Sequence, residues 1–393
     1  MAEKTIYERS AELHKELGGK LEVCSKRPVK TREDLSLMYT PGVAEPCRII
    51  AANPSEVYNY TWKKNTIAVV SDGTAVLGLG NIGPYAAMPV MEGKAALFKD
   101  FGGVNAVPIC LNTTDWDEII RTIRLLEPGF GGFNIEDIGA PGCVYIEEAL
   151  QDLGVPVFHD DQHGTAIVVA AGLINSAKVV GKKISDLTVV VSGAGAAGSA
   201  IIKMLNRLGV KEIYAFWKEG IITAKKKDEY DFLNKQLCLI TNHYAEELTM
   251  EEAMTKADVF IGVSIPNRIT PEMVASMEED PIVFAMANPE PEIPYDLGKA
   301  AGAMIMATGR SDSIIQVNNV SAFPGVFRGA LDCGAFKITD EMKLAAVYSL
   351  AGSVPDEELS DEKILPDLFN TEVVLRVAKA VADTARKQNN ARF

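Results

Sequence analysis

Two pairs of adjacent carboxylates, Glu136-Asp137 and Asp160-Asp161, stand at the ends of short apolar runs, Phe133-Asn-Ile135 and Val157-Phe-His159. One helical stretch, Gly142 to Leu153, separates them, so the runs read as parallel strands of a βαβ unit. If they are neighbours, their carboxyl ends lie about 5 Å apart, where open α/β sheets bind ligands. Four carboxylates repel one another there unless a cation or a lysine compensates. An all-oxygen set suits Mg²⁺ or Mn²⁺ rather than zinc. Successive strand residues point to opposite faces, so each pair is expected to divide its labour. The alternative is that these acids cap the helices that follow. Small residues after both pairs, Ile138-Gly-Ala-Pro141 and Gln162-His-Gly-Thr-Ala166, leave room for a bound molecule.

A lysine and a tyrosine also stand out by placement. Lys94 lies in the apolar helical stretch Met91-Glu-Gly-Lys94-Ala-Ala-Leu97 and is either snorkelling to solvent or buried with a chemical task. Tyr39 precedes a turn, Thr40-Pro-Gly42, where a surface position is the ordinary reading.

The elements that must position these residues can be read from two glycine runs of the form G-x-G-x-x-G. Gly193-Ala-Gly195-Ala196-Ala197-Gly198 follows the buried run Thr188–Val191. It precedes a helix with Ile201, Ile202, Leu205 and Leu208 on one face, ended by Gly209, and then a second apolar run, Ile213 to Trp217. That is the strand–turn–helix–strand unit of about 30 residues in which a dinucleotide pyrophosphate meets a helix N-terminus. Gly78-Leu-Gly80-Asn-Ile-Gly83 follows Ala75–Leu77, but Pro89 comes soon after Pro84 and is expected to interrupt any helix. No second strand ends in a ribose-binding acid where one belongs. This loop reads either as a glycine-lined wall against something small or as a plain βα turn.

Further apolar runs at Ile67–Val70, Ala106–Leu111, Val259–Val263, Ile282–Ala285 and Met304–Met306 alternate with helical stretches, the pattern of parallel α/β sheets. A long apolar helix, Gly164 to Val180, follows the acidic pairs, and a polar break, Gly181 to Asp186, precedes the fingerprint strand. Thr371 to Arg386 reads as an amphipathic helix packing back on the body. With 393 residues, 47% hydrophobic and 23% charged, the chain can build two or three cored domains. A net charge of −14 argues against nucleic acid and anionic membranes as partners. The N-terminus has no apolar signal core, no run reaches about 18 apolar residues, and the six cysteines are scattered without a C-x-x-C pair. A cytoplasmic protein with reduced thiols is expected.

Several segments together carry a resemblance. Tyr39-Thr-Pro-Gly-Val-Ala, Asp72-Gly-Thr-Ala-Val-Leu-Gly-Leu-Gly-Asn-Ile-Gly, Glu92-Gly-Lys94, Ile135-Glu-Asp-Ile, Asp160-Asp-Gln-His-Gly-Thr-Ala, Gly193-Ala-Gly-Ala-Ala-Gly and Val317-Asn-Asn-Val resemble the short bacterial malic enzymes, in order and nearly end to end. The expected architecture is α/β. It has an N-terminal substrate and metal domain over 1–163, then a Rossmann-type, doubly wound parallel-sheet domain over 164–393 whose last helices pack back. The resemblance implies oxidative decarboxylation of malate to pyruvate and CO₂ with reduction of NAD or NADP, dependence on Mg²⁺ or Mn²⁺, and decarboxylation of oxaloacetate. It also suggests a homodimer with residues shared across the interface.

Carried over position by position, Glu136, Asp137 and Asp161 resemble the metal ligands, Lys94 the general base, Tyr39 the general acid and Asp160 the carboxylate that positions the lysine. Asn288 and Asn319, with Asn318 beside the latter, resemble residues that hold the substrate from the cofactor side. The chain departs from the pattern twice. Ala75 stands where longer members carry a carboxylate-binding arginine, and Arg310 is the candidate replacement. Trp217-Lys218-Glu219 stands where a ribose-binding acid is expected; Lys218 tilts the cofactor toward NADP, while Glu219 keeps NAD open. A malolactic-type decarboxylase that retains its nicotinamide, a metal-free hydroxy-acid dehydrogenase and a non-catalytic dinucleotide sensor are the competing readings. The carboxylate cluster disfavours the second, and the full set of candidate catalytic residues disfavours the third.

Overall fold

The computed structural model describes residues 4–76 and 78–393. In the first half, β1 (Thr66–Ser71), β2 (Asn105–Cys110), β3 (Phe133–Ile135) and β4 (Val157–His159) form a parallel sheet in the order β2-β1-β3-β4. β1, β3 and β4 are buried along their whole length, which is why they read as unbroken apolar runs. The order reverses between β1 and β3, and Asp72 and Glu136 leave the two strands at that crevice.

The second half holds β5 (Thr188–Ser192), β6 (Glu212–Trp217), β7 (Gly220–Ile221), β8 (Val259–Gly262), β9 (Ile282–Ala285) and β10 (Ile305–Thr308), in the order β10-β9-β8-β5-β6-β7. All neighbours are parallel except the β6–β7 hairpin. The helix Ala196–Arg207 follows β5, and the second reversal of strand order lies between β5 and β8. This is the doubly wound sheet anticipated from the fingerprint.

The helix Asp160–Val179 runs from the end of β4 toward the second sheet. It starts four residues earlier than the apolar pattern suggested, so a division at 163/164 falls inside it. Ile67, Phe98 and Phe158 share one buried cluster with Val189, Phe284 and Phe323, so the halves pack on a common core. The helix Phe323–Asp332 lies against the helix Gly83–Gly102, with Phe98 and Phe323 centroids 4.6 Å apart.

Other local expectations need correction. Ala75 and Val76 form no strand; Val76 and Gly80 close a tight turn, and Leu77 lies outside the described residues. Pro89 does not interrupt its helix, which runs unbroken from Gly83 to Gly102. A proline leaves the carbonyl four residues earlier without its helical donor, here that of Tyr85, an exposed first-turn residue that water can reach. The short returning strand β7 had no distinct sequence signal.

The N-terminal arm packs differently from the rest. The helices Ile6–Leu17 and Ala44–Ala52 bury no residue, and Arg32–Met38 buries only Asp34. Ile6, Tyr7, Leu13, Leu17, Val23 and Leu37 are all exposed. No helix among the described residues is long and apolar enough to cross a membrane.

Candidate active site

β3 and β4 are direct neighbours, so both acidic pairs meet at one edge of the first sheet. The labour is divided differently from the strand rule. At the end of β3 both acids stay together: Asp137 has φ 53°, and this left-handed turn takes it off the strand's alternation. One carboxylate oxygen from each of Glu136, Asp137 and Asp161 lies within 4.8 Å of the others. The backbone N–H of Asp137 also donates to Asp161 Oδ2 at 3.0 Å, tying the two strand ends together.

Asp160 and Asp161 do part company. Both open the helix Asp160–Val179, whose N-terminal partial positive charge favours carboxylates. They are not its cap, since His159 Nδ1 accepts the N–H of Gln162. Asp161 faces the cleft, whereas Asp160 turns inward to Lys94. Its other oxygen folds over Gly164, where a Cβ would lie 1.8 Å from Oδ1. The room made by Gly164 is therefore filled by Asp160 rather than by a bound molecule.

Lys94 is buried, which removes the snorkelling alternative. Its ammonium lies 2.6 Å from Asp160 Oδ2 and 2.8 Å from Glu136 Oε1, and 4.4 Å from the ring centroid of Phe323. Burial lowers the lysine pKa, but Asp160, Glu136 and Asp161 outweigh it and hold Lys94 above its ordinary value. Burial pushes the Glu136 carboxyl well up; Lys94 opposes this, while Asp161, Asp160 and Asp137 add to it. Asp160 is raised by burial against the same lysine. A nest of four carboxylates around one ammonium is short of positive charge.

Above this nest lies a cleft of about 600 Å³ between the two halves. Gly78, Gly80, Asp137, Ile138 and Asp161 line one side; Ala196, Ala197, Ser264, Asn288, Asn318 and Asn319 line the other. The two glycine runs thus face each other. Thr74 Oγ1 accepts the Gly139 N–H and donates to Asp72, so the loop after β1 is pinned to the acidic loop after β3. In the fingerprint turn, a Cβ at Gly198 would lie 1.7 Å from the Gly193 carbonyl oxygen, so only glycine permits this helix to start so close to its strand. The indole of Trp217 lies against Gly195, and Lys218, at the two-residue tip between β6 and β7, holds its ammonium 5.3 Å from that ring.

Two candidates stand elsewhere. Tyr39 ends the exposed helix Arg32–Met38, is 67% exposed and is not among the residues lining the cleft. Arg310, also absent from the cleft lining, holds Asp312 with two nitrogens at 2.8 and 2.6 Å and the Pro289 carbonyl with a third at 2.8 Å, so each of its nitrogens has a partner within the chain. Three residues escaped the sequence reading. Asn134 donates to Glu136 at 2.7 Å, a contact that period-2 alternation could have flagged. Phe323 and Glu292 act across the fold, and no local pattern announces them.

The chain matches the malic enzyme N-terminal domain over residues 18–116 and the malic enzyme NAD-binding domain over residues 162–386. It is 52% identical over 390 residues to a bifunctional malic/malolactic enzyme of Bacillus subtilis, covering 99% of this chain and 95% of the relative. It is 52% identical over 388 residues to an NAD-dependent malic enzyme of Geobacillus stearothermophilus, covering 98% and 80%. Against the NADP-dependent malic enzyme of Escherichia coli the identity is 44% over 93% of this chain, which spans only 50% of that longer protein. Among solved structures, the NAD-dependent malic enzyme of Thermotoga maritima superposes with a TM-score of 0.92 at 47% identity, covering 95% of this chain and 98% of the other. Likeness of sequence and of backbone therefore extends across both sheets and the cleft between them, and the chain belongs to the malic enzyme family.

Proposed function

We propose that this protein oxidatively decarboxylates (S)-malate to pyruvate and CO₂ with reduction of NAD⁺ or NADP⁺, and that Lys94 is its general base. The observation that carries the reading is the buried Lys94, held by Asp160 and Glu136 directly beneath the carboxylates that face the fingerprint turn. Residues 1–163 and 164–393 are taken as the substrate and dinucleotide domains. A cytoplasmic location accords with the absence of a membrane-spanning helix among the described residues.

Glu136, Asp137 and Asp161 fit a hard divalent cation: their oxygens converge, all are carboxylates, and their mutual repulsion leaves the nest short of positive charge. When bound, Mg²⁺ or Mn²⁺ would supply Lewis acidity toward the substrate oxygens, and the nicotinamide would supply a hydride acceptor. The chain supplies the rest. Asp160 fixes the ammonium of Lys94, Phe323 shields it from water, and Asn134 orients Glu136. In its neutral form, Lys94 can take the proton of the C2 hydroxyl as general base. Asn288, Asn318 and Asn319 hold the substrate from the opposite wall, and the helix start at Ala196-Ala197 receives the pyrophosphate. Tyr39 protonates C3 after loss of CO₂.

Because Tyr39 lies on an arm whose apolar side chains are bare, we place it in the cleft of a second copy within a homodimer. Initial rates with malate and Mn²⁺, run with NAD⁺ and then NADP⁺ while following pyruvate, test the activity. Wild-type turnover by Lys94→Ala would remove the base assignment. The name of the Bacillus subtilis relative favours one second reading, a malolactic activity; lactate formed without net NAD(P)H would identify it.

A further inference from the structure

Glu292 is a carboxylate at 0% exposure that forms no ion pair among the described residues and has no part in the chemistry above. Such a group is costly to bury unless its lone pairs are filled, and here they are filled by two separate loops. Oε1 accepts the backbone N–H of Ser264 at 2.8 Å and the Ser264 hydroxyl at 3.3 Å. Oε2 accepts the backbone N–H of Ala287 at 3.0 Å. Ser264 follows β8 and Ala287 follows β9, so one carboxylate clasps two neighbouring strand ends. The Ser264 hydroxyl lies 3.0 Å from that of Ser192, the last residue of β5 before the fingerprint turn, which extends the clasp to a third strand.

The fold makes room for this group specifically. A Cβ at Gly262 would lie 2.3 Å from the Glu292 carboxyl carbon, so the glycine that ends β8 is what lets the carboxylate reach both loops. Ser264, Ala287 and Asn288 line the cleft between the fingerprint turn and the acidic triad. A dinucleotide whose pyrophosphate rests on Gly193–Gly198 must lay its nicotinamide half over that floor to reach the triad.

We propose that Glu292 is a positioning residue that sets the nicotinamide side of the dinucleotide site by holding the Ser264 and Ala287 loops at a fixed spacing. This rests on the dehydrogenase reading above. Glutamine at this position is the informative change, because it keeps one acceptor oxygen and aims an NH₂ at a backbone N–H, releasing one loop. In the Mn²⁺-loaded enzyme, Glu292→Gln is expected to raise the dinucleotide KM about tenfold (about 1.4 kcal/mol) and to lower kcat. The Kd of ADP-ribose, which carries no nicotinamide, should not change; a general loss of structure would weaken it equally.

Wild-type dinucleotide KM and kcat in folded Glu292→Gln, or equal weakening of ADP-ribose, would overturn the proposal. If Glu292→Gln does not fold, Ser264→Ala decides, because it removes the hydroxyl that joins Glu292 to Ser192 while the Ser264 backbone N–H still donates to Oε1: the same pattern at smaller amplitude supports the proposal and unchanged kinetics reject it. Lys94→Ala assayed alongside separates the two ideas. No reduction of NAD⁺ or NADP⁺ by the wild-type enzyme with malate defeats the dehydrogenase reading, turnover retained in Lys94→Ala removes only the base assignment, and an inactive Lys94→Ala beside a wild-type Glu292→Gln defeats only the clasp.

Discussion

Asp160→Asn is the substitution whose outcome the geometry fixes most closely. It keeps the shape of the side chain and an oxygen that can accept from Lys94, and removes one negative charge 2.6 Å from the ammonium. Two unit charges at that distance attract by about 6 kcal/mol at an effective dielectric of about 20. Glu136 remains at 2.8 Å, so only part of the field on Lys94 is lost. An opposite charge this close stabilises the charged form by about one to three pK units. Asp160 favours the ammonium, so its loss lets Lys94 deprotonate at lower pH. The acid limb of the kcat/KM profile, which reports the base of the free enzyme, should therefore move down by about one to three pH units. The plateau should fall about 10- to 100-fold because the lysine is less firmly held. Weakening a buried pair costs about 3 kcal/mol, lowering Tm by about 4 °C in a chain of this length. The assay is malate oxidation at saturating Mn²⁺ from pH 5 to 9, with thermal unfolding as the control. A folded variant whose acid limb stays in place or moves up would refute the link between Asp160 and Lys94.

Other outcomes follow from the same site. Removing divalent metal with a chelator should abolish turnover, and Mn²⁺ at about 100 times its Kd should raise unfolding free energy by about 2.7 kcal/mol; Asp161→Asn should lose this stabilisation yet still bind NAD(P)H by fluorescence. Tyr39→Phe and Lys94→Ala should each be nearly inactive alone. Mixed and reassembled, they should regain activity, because one cleft of the heterodimer then carries neither substitution; no recovery in a verified heterodimer would place Tyr39 in its own chain's cleft. Lys218→Ala should raise the KM for NADP⁺ about tenfold and leave that for NAD⁺ unchanged, since only the former carries the 2′-phosphate; equal effects on both would remove Lys218 from the phosphate contact.

The sequence by itself determined the two parallel sheets, the choice of the second glycine run as the fingerprint, and the meeting of the acidic pairs. These follow from local signals. Buried parallel strands read as apolar runs, a fingerprint needs a strand before it and a helix after it, and one helix between two strands makes them parallel. Those signals fail where the decisive force acts across the fold. Three apolar residues at Ala75–Leu77 suggested a strand, yet the loop is held as a turn by Gly80 and pinned to Gly139 through Thr74. Pro89 suggested a break, yet the helix runs unbroken through it, since the carbonyl that loses its donor belongs to the exposed Tyr85 and the helix packs through Phe98 on Phe323 and Phe327. Whether Lys94 snorkels or is buried was undecidable from its own helix, because the answer lies with Asp160, Glu136 and Phe323, which stand 66, 42 and 229 residues away. The same holds for Asp137, which only a positive φ brings beside Glu136, and for Glu292, whose role exists only because Gly262 leaves it space. A residue's type and spacing state what chemistry it can do. Which charges, rings and backbone donors surround it is a property of distant segments, and only the tertiary structure brings those into contact.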